Sequence, residues 1–118
     1  MILVTGAGGK TGRVLIETLS KVESVCAFVH RQSDVPVVKS LGAEKVIVGD
    51  MLDEAALEHA LEGARAVYHI CPNMSPDEIQ IGKQVIRQAL KSGVDHFVYH
   101  SVLHPQTERW LIIGENLA

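Results

Sequence analysis

The chain has 118 residues and a net charge of −3, with 47% apolar and 21% charged residues, a globular balance for one domain able to bury roughly two thirds of its unfolded surface. Its basic residues are scattered, so the electrostatic footprint of a nucleic-acid or anionic-membrane binder is missing, and no segment approaches the roughly 20 continuous apolar residues of a membrane helix. The opening MILVTG has neither the basic start nor the length of a secretion signal, and a soluble cytoplasmic protein is the expectation.

Short apolar runs alternate with segments of helical period, the pattern of βαβ units around a parallel sheet. The expected strands are ILV at 2–4, VCAFV at 25–29, KVIV at 45–48, AVYHI at 66–70 and HFVYH at 96–100. Most are continuous rather than alternating, as suits strands covered by helices on both faces. The first helix is expected over 10–20, with Val14, Leu15, Thr18 and Leu19 turned inward. Asp34 stands where it can cap the second, Pro36 lies in that helix's first turn, and Gly42 follows it as a terminator. Asp53 can cap the third helix, which stops at Gly63. Ser75, Pro76, Asp77 and Glu78 form a capping box for the fourth, with Ile79, Val85, Ile86, Ala89 and Leu90 as its buried face and Gly93 at its end. After Pro105 the sequence QTERWLIIGENLA reads as a short helix over 105–118, with Trp110, Ile113 and Leu117 as an apolar stripe. Strand five is then an uncovered edge, and edge and stripe both favour association, so a homo-oligomer is expected.

Right-handed crossovers turn this order into a doubly wound α/β sheet of Rossmann type, five strands in the order 3-2-1-4-5, over residues 1–104. Its ligand crevice belongs at the carboxyl ends of strands one and four, where the winding reverses. The stretch VTGAGGKTG, residues 4–12, sits there. Its GGKT resembles the end of a nucleoside-triphosphate P-loop, but the spacing that motif requires would put its first glycine at Val4, inside the first strand. The spacing that fits is GxxGxxG, with Gly6 for the sharp turn, Gly9 for close approach of a diphosphate and Gly12 for close packing of the helix on the sheet. Gly8, Lys10 and Thr11 belong to the same turn, and the helix start adds free N–H groups and a positive dipole end.

In an NAD site the second strand usually ends in an acidic residue that accepts from the ribose hydroxyls. Here it ends Val29, His30, Arg31. A guanidinium at that place attracts a 2′-phosphate, so NADP is favoured with NAD as the alternative; Arg31 could equally be a solvated residue or bind Asp34. Lys10 could add charge near the phosphates or point to water. Asp50 could accept from the adenine amino group while Met51 packs on its ring, or Asp50 could be a plain turn residue.

VTGAGGKTG, FVHR after the second strand, VGDMLDEAAL after the third and FVYHSVLHP around the fifth together resemble the NmrA-like branch of the atypical short-chain dehydrogenase/reductases. The resemblance covers residues 1 to about 105, the cofactor-binding half of a family with longer members. It implies a Rossmann-type fold, an NADP or NAD site, and either a reductase or a redox-sensing regulator. By resemblance Gly6, Gly9, Gly12, Arg31, Asp50 and the segment Cys71, Pro72, Asn73 would line the cofactor.

Catalytic residues are not evident. Short-chain reductases commonly use YxxxK, where a lysine lowers the phenol's pKa; here Tyr68 is followed at that spacing by Pro72 and Tyr99 by Leu103, and no lysine follows Lys91. Ser101 could hydrogen-bond a substrate carbonyl and His104 could donate a proton, or both could be local partners in a loop after strand five. Cys26 and Cys71 form no CxxC and are expected as reduced thiols, Cys71 being redox-sensitive if exposed. The six histidines lack ligand spacing, and no metal is expected. The leading expectation is an NADP(H)-binding domain acting as cofactor binder or redox sensor. Its rivals are an NAD(P)H-dependent reductase of quinones or other carbonyls completed by a partner subunit, and an interaction module with a vestigial nucleotide site.

Overall fold

The computed structural model describes the backbone of residues 1–70, 78–104 and 107–115, and the side chains of residues 1–70 and 79–99. Its strands are β1 (Ile2–Val4), β2 (Val25–Val29), β3 (Lys45–Val48), β4 (Ala66–Ile70), β5 (His96–His104) and β6 (Thr107–Glu115). The helices are α1 (Lys10–Leu19), α2 (Val35–Ser40), α3 (Glu54–Leu61) and α4 (Glu78–Ser92), with one 3-10 turn at Gln32–Asp34. The sheet order is β3-β2-β1-β4-β5-β6. Its first five strands are parallel. The expected 3-2-1-4-5 order and Rossmann-type doubly wound fold are therefore present.

Continuous apolar runs fill both faces. All five residues of β2 are buried, and because side chains alternate along a strand, Val25, Ala27 and Val29 join one cluster with Val4, Ile16 and Val38. Cys26 and Phe28 face the other, with Leu3, Leu57, Val67, Val85 and Phe97. Fully burying a side chain such as Phe28, Phe97 or Leu3 stabilises the fold by about 1.5–3 kcal/mol each.

The buried helix faces match the expected ones only in part, Leu19 on α1 and Val85, Ile86 and Ala89 on α4 lying inward as expected. On α1 the residues facing the sheet are Gly12 and Ile16, with Leu19 packed against the same cluster, while Val14 is 63% exposed. A Cβ on Gly12 would stand 2.5 Å from the Gly6 carbonyl oxygen, so this glycine is the point of closest approach, and the i+4 and i+7 positions share its face. On α4 the buried set is Ile81, Gln84, Val85, Gln88 and Ala89, with Ile86 partly buried. Ile79 and Leu90 are 73% and 43% exposed. A glycine faces the sheet here too: a Cβ on Gly82 would stand 3.0 Å from the Tyr99 hydroxyl. Asp53 caps α3 as expected, its Oδ1 accepting from the N–H groups of Ala55 at 3.0 Å and Ala56 at 3.4 Å. Gly42, Gly63 and Gly93 have positive φ at the ends of α2, α3 and α4. The capping box loses Ser75, Pro76 and Asp77 to the region outside the described residues.

Two expectations at the carboxyl end are corrected. Residues 107–115 form strand β6, antiparallel to β5, in place of the expected helix over 105–118. A run of Trp110, Leu111, Ile112 and Ile113 beside an open sheet edge gains ladder hydrogen bonds that a short helix with three inward residues does not match. With Ser101 paired to Arg109 and His104 to Thr107, β5 extends through SVLH, so Ser101 and His104 lie in the strand rather than in a loop after it. β6, not β5, ends the sheet.

Candidate functional site

Strand β1 ends against two neighbours that hold the following turn in place. The Thr5 N–H donates to the Tyr68 carbonyl at 3.0 Å and the Ala7 N–H to the Phe28 carbonyl at 3.2 Å, so the glycine turn crosses the carboxyl ends of β4 and β2. Thr5 is fully buried. Its Oγ1 accepts from the Ile70 N–H at 3.0 Å and shares a hydrogen bond with His69 Nδ1 at 2.8 Å, whose direction follows the tautomer of the ring. The His69 Nε2 is buried and has no hydrogen-bond partner among the described residues. Burial lowers the His69 pKa from 6.5 to about 4, so the ring is neutral at pH 7 and Thr5 locks β1 to β4 beneath the crevice.

The glycines of the turn stand in different surroundings. Gly6 has φ 61°, a left-handed conformation that favours glycine, and a Cβ there would collide with the Ile70 carbonyl oxygen. On Gly8 a Cβ would meet the Asp34 carboxylate, with Cγ at 2.9 Å, and on Gly12 it would stand 2.7 Å from Ala7 Cα. Gly9 is different. A Cβ there would find the Gly6 carbonyl oxygen at 3.5 Å and nothing nearer, so packing within the described chain does not demand a glycine. Gly9 is exposed, it is the N-cap of α1 without a side-chain cap, and the first turn carries no acidic residue. The opening N–H groups of a helix have no intrahelical acceptor, and the positive dipole end coincides with them.

At the exit of β2, Arg31 and Asp34 are joined by a residue that sequence reasoning overlooked. Arg31 Nε lies 3.5 Å from Asp34 Oδ2, and the Arg31 side chain is 70% exposed. Arg13, from the first turn of α1, places Nη2 3.7 Å from Asp34 Oδ1 and donates from Nε to the Gly8 carbonyl at 3.0 Å. Asp34 itself is 7% exposed and makes no side-chain cap to α2, contrary to the role expected of it. Local spacing held a partial signal: Arg13 follows Lys10 by one helical turn, and Asp34 follows Arg31 at i+3.

The other candidates are spread more widely. Lys10 is exposed at the start of α1 and Thr11 is half-buried. Asp50 Oδ1 accepts from the Leu52 N–H at 2.8 Å, the local turn that was the alternative to an adenine contact. Met51 is 8% exposed within the cluster holding Leu3 and Phe28, so it turns into the core. Cys71, Pro72 and Asn73 lie outside the described residues. Ser101 and His104 are described as backbone within β5. Cys26 is a buried free thiol, pushed up to about 11 by burial.

Fold and turn together define a Rossmann-type α/β domain with its glycine turn over the point where the sheet reverses its winding. The sequence model of the NmrA-like family matches residues 1–111, and the chain belongs to that family. It is 36% identical over 112 residues to the L-arabinose 1-dehydrogenase (NAD(P)(+)) of Haloferax volcanii, covering 87% of this chain and 41% of that protein. The crystal structure of an NADPH-dependent quinone oxidoreductase from Escherichia coli in complex with NADPH superposes with a TM-score of 0.77 and 32% identity, over 91% of this chain and 38% of that one. The Citrobacter sp. triphenylmethane reductase complexed with NADP(H) gives 0.73 and 26%, over 84% and 36%. The chain spans about two fifths of the length of the curated relatives it matches.

Proposed function

We propose that this chain is an NADP(H)-binding domain, serving as a cofactor binder or redox sensor. The observation that carries the reading is the open side of Gly9. The absent Cβ leaves room where uncapped helix amides and a positive dipole end converge, a fit to a diphosphate. In this reading Gly6, Gly8, Gly9, Lys10, Thr11 and Gly12 hold the diphosphate, Arg31 takes the 2′-phosphate, and Asp50 faces the adenine. The E. coli and Citrobacter structures with bound NADPH or NADP(H) support the same ligand class. When bound, the dinucleotide supplies hydride chemistry. This chain's own residues bind and orient it: the Thr5–Ile70 lock keeps the turn seated on the sheet, and the turn glycines keep side chains out of the diphosphate's path.

A second reading, an NAD(P)H-dependent reductase of quinones or other carbonyls with its pocket completed elsewhere, is favoured by relatives named quinone oxidoreductase and NAD(P)H azoreductase. The edge position of β6 also supports a homo-oligomer formed by strand addition. Calorimetric titration of the intact chain with NADPH is expected to give one site. Arg31→Ala should weaken it by about 1–3 kcal/mol while NADH changes little, and a chain that binds neither nucleotide sinks the reading. NADPH oxidation with a quinone panel separates the two roles, since turnover by the bound chain argues for the reductase.

A further inference from the structure

We propose that the cleft between α3 and α4 is a second small-molecule site, separate from the glycine turn, for a phosphate monoester of a hydroxyl-bearing molecule of the sugar-phosphate class. Lys83 and Arg87 hold the phosphate, and the amides of Gln80 and Gln84 read the hydroxyls. The inference goes beyond the dinucleotide reading and does not depend on it.

The cleft has a volume of about 380 Å³, toward the small end of the range for small-molecule sites. One wall is α4, through Gln80, Lys83, Gln84 and Arg87; the other is Leu52, just before α3, and Glu54 in its first turn. Positions 80 and 84, like 83 and 87, are one helical turn apart, so α4 sets two amides and two cations side by side on one face. No residue of the glycine turn lines the cleft, and neither do Arg13 or Arg31.

Lys83 and Arg87 are exposed, and among the described residues no carboxylate lies within ion-pair distance of either. Lys91, the next cation along α4, lies 3.8 Å from Glu58. Like charges one turn apart repel, so an anion between Lys83 and Arg87 relieves that cost and gains two charge-assisted contacts. Gln84 is 8% exposed, yet its side chain has no hydrogen-bond partner among the described residues. A buried amide is costly to leave unpaired, and a ligand hydroxyl in the cleft supplies what the fold does not.

The two walls also select the kind of ligand. A phosphate dianion fits Arg87 through two parallel hydrogen bonds and Lys83 as a point charge. Glu54 stands on the opposite wall, beyond ion-pair distance of both cations, where it repels a second anionic group and accepts from a hydroxyl. Gln80 and Gln84 each offer donors and an acceptor, the combination a hydroxyl needs. Leu52, 40% exposed, packs against the carbon skeleton. A single phosphate on a polyhydroxylated body meets all of these demands, whereas a bisphosphate or a dicarboxylate meets the charge of Glu54.

The test follows backbone amide shifts by NMR on the intact chain at constant ionic strength. Its probes are sorbitol 6-phosphate, inorganic phosphate and sorbitol, each with and without NADPH. Sorbitol 6-phosphate is expected to move the amides of residues 52–54 and 80–87 with a dissociation constant on the order of 1 mM. It should bind at least about fivefold more tightly than inorganic phosphate, and sorbitol should move nothing. Lys83→Gln and Arg87→Gln should each weaken it at least about fivefold, and Gln84→Leu should bring it within about twofold of inorganic phosphate. If Gln84→Leu does not fold, Gln80→Leu reads the same preference. Shifts confined to residues 6–12, shifts abolished by NADPH, equal affinity for the ester and inorganic phosphate, a preference kept in the glutamine variant, or affinities unchanged in Lys83→Gln and Arg87→Gln overturn the proposal. A chain that takes sorbitol 6-phosphate in this cleft but binds no NADPH keeps the inference and sinks the dinucleotide reading; the reverse result sinks the inference alone.

Discussion

Gly9 and Gly12 sit three residues apart and answer to different demands. Gly12 is buried where a Cβ would press on Gly6 and Ala7, so Gly12→Ala should cost about 1–3 kcal/mol of stability through overpacking. Gly9 has room and an ordinary φ of −79° at the N-cap, where serine is a better cap than glycine by a few tenths of a kcal/mol. Gly9→Ser should therefore melt at or slightly above the wild-type temperature while losing at least about tenfold in NADPH affinity. Differential scanning calorimetry and nucleotide titration read the two effects separately, and a matched loss of both would mean that Gly9 serves packing. His69 carries a second expectation. Burial holds its folded pKa at about 4, below the 6.5 of an exposed histidine. Between those values the unfolded chain takes up a proton that the folded chain refuses. Stability should therefore be fully present above pH 6.5 and fall as pH drops toward 4, by on the order of 3 kcal/mol. Urea midpoints across that window check it, and His69→Gln should flatten the profile. The glycine spacing and Arg31 were legible in the sequence because they follow strand ends directly. The Arg13–Asp34 contact was not, since it joins residues from two different βα turns.

Elements with continuous apolar runs could be read from the chain, and β1 to β4 match them residue for residue. Apolar residues occupy successive positions in those strands, and in β2 all five are buried, so the signal does not depend on one face. Helix faces were harder, because apolar residues occur on more than one side of α1 and α4. Val14 looked inward by type, but the contact of Gly12 with the turn fixes the roll of α1 so that Ile16 points at the sheet. Ile16→Ala should cost about 2–5 kcal/mol and Val14→Ala less than about 0.5 kcal/mol in urea denaturation, and equal costs would contradict that roll. At the carboxyl end the amphipathic helix reading failed. The spacing of Trp110, Ile113 and Leu117 fits a helix, but the branched apolar run between Trp110 and Ile113 fits a strand as well. An available β5 edge settles such an ambiguity.

For the whole molecule, the order of the sheet places the crevice beside β1, between the opposite windings toward β2 and β4. It also leaves β6 at the sheet's end with a nine-residue strand. A strand of that length at an edge invites pairing with a second copy, and light scattering after size exclusion is expected to show a homo-oligomer; a clean monomer would count against the proposed association.

The sequence by itself determined the βαβ order, the glycine turn and where that turn must stand, because strand runs, caps and turn residues act over a few neighbouring positions. Tertiary structure decided which helix faces are buried, that the last segment is a strand, and that Asp34 serves the turn instead of its own helix. Those outcomes depend on contacts between distant residues, where close approach at a glycine or a free sheet edge outweighs local preference.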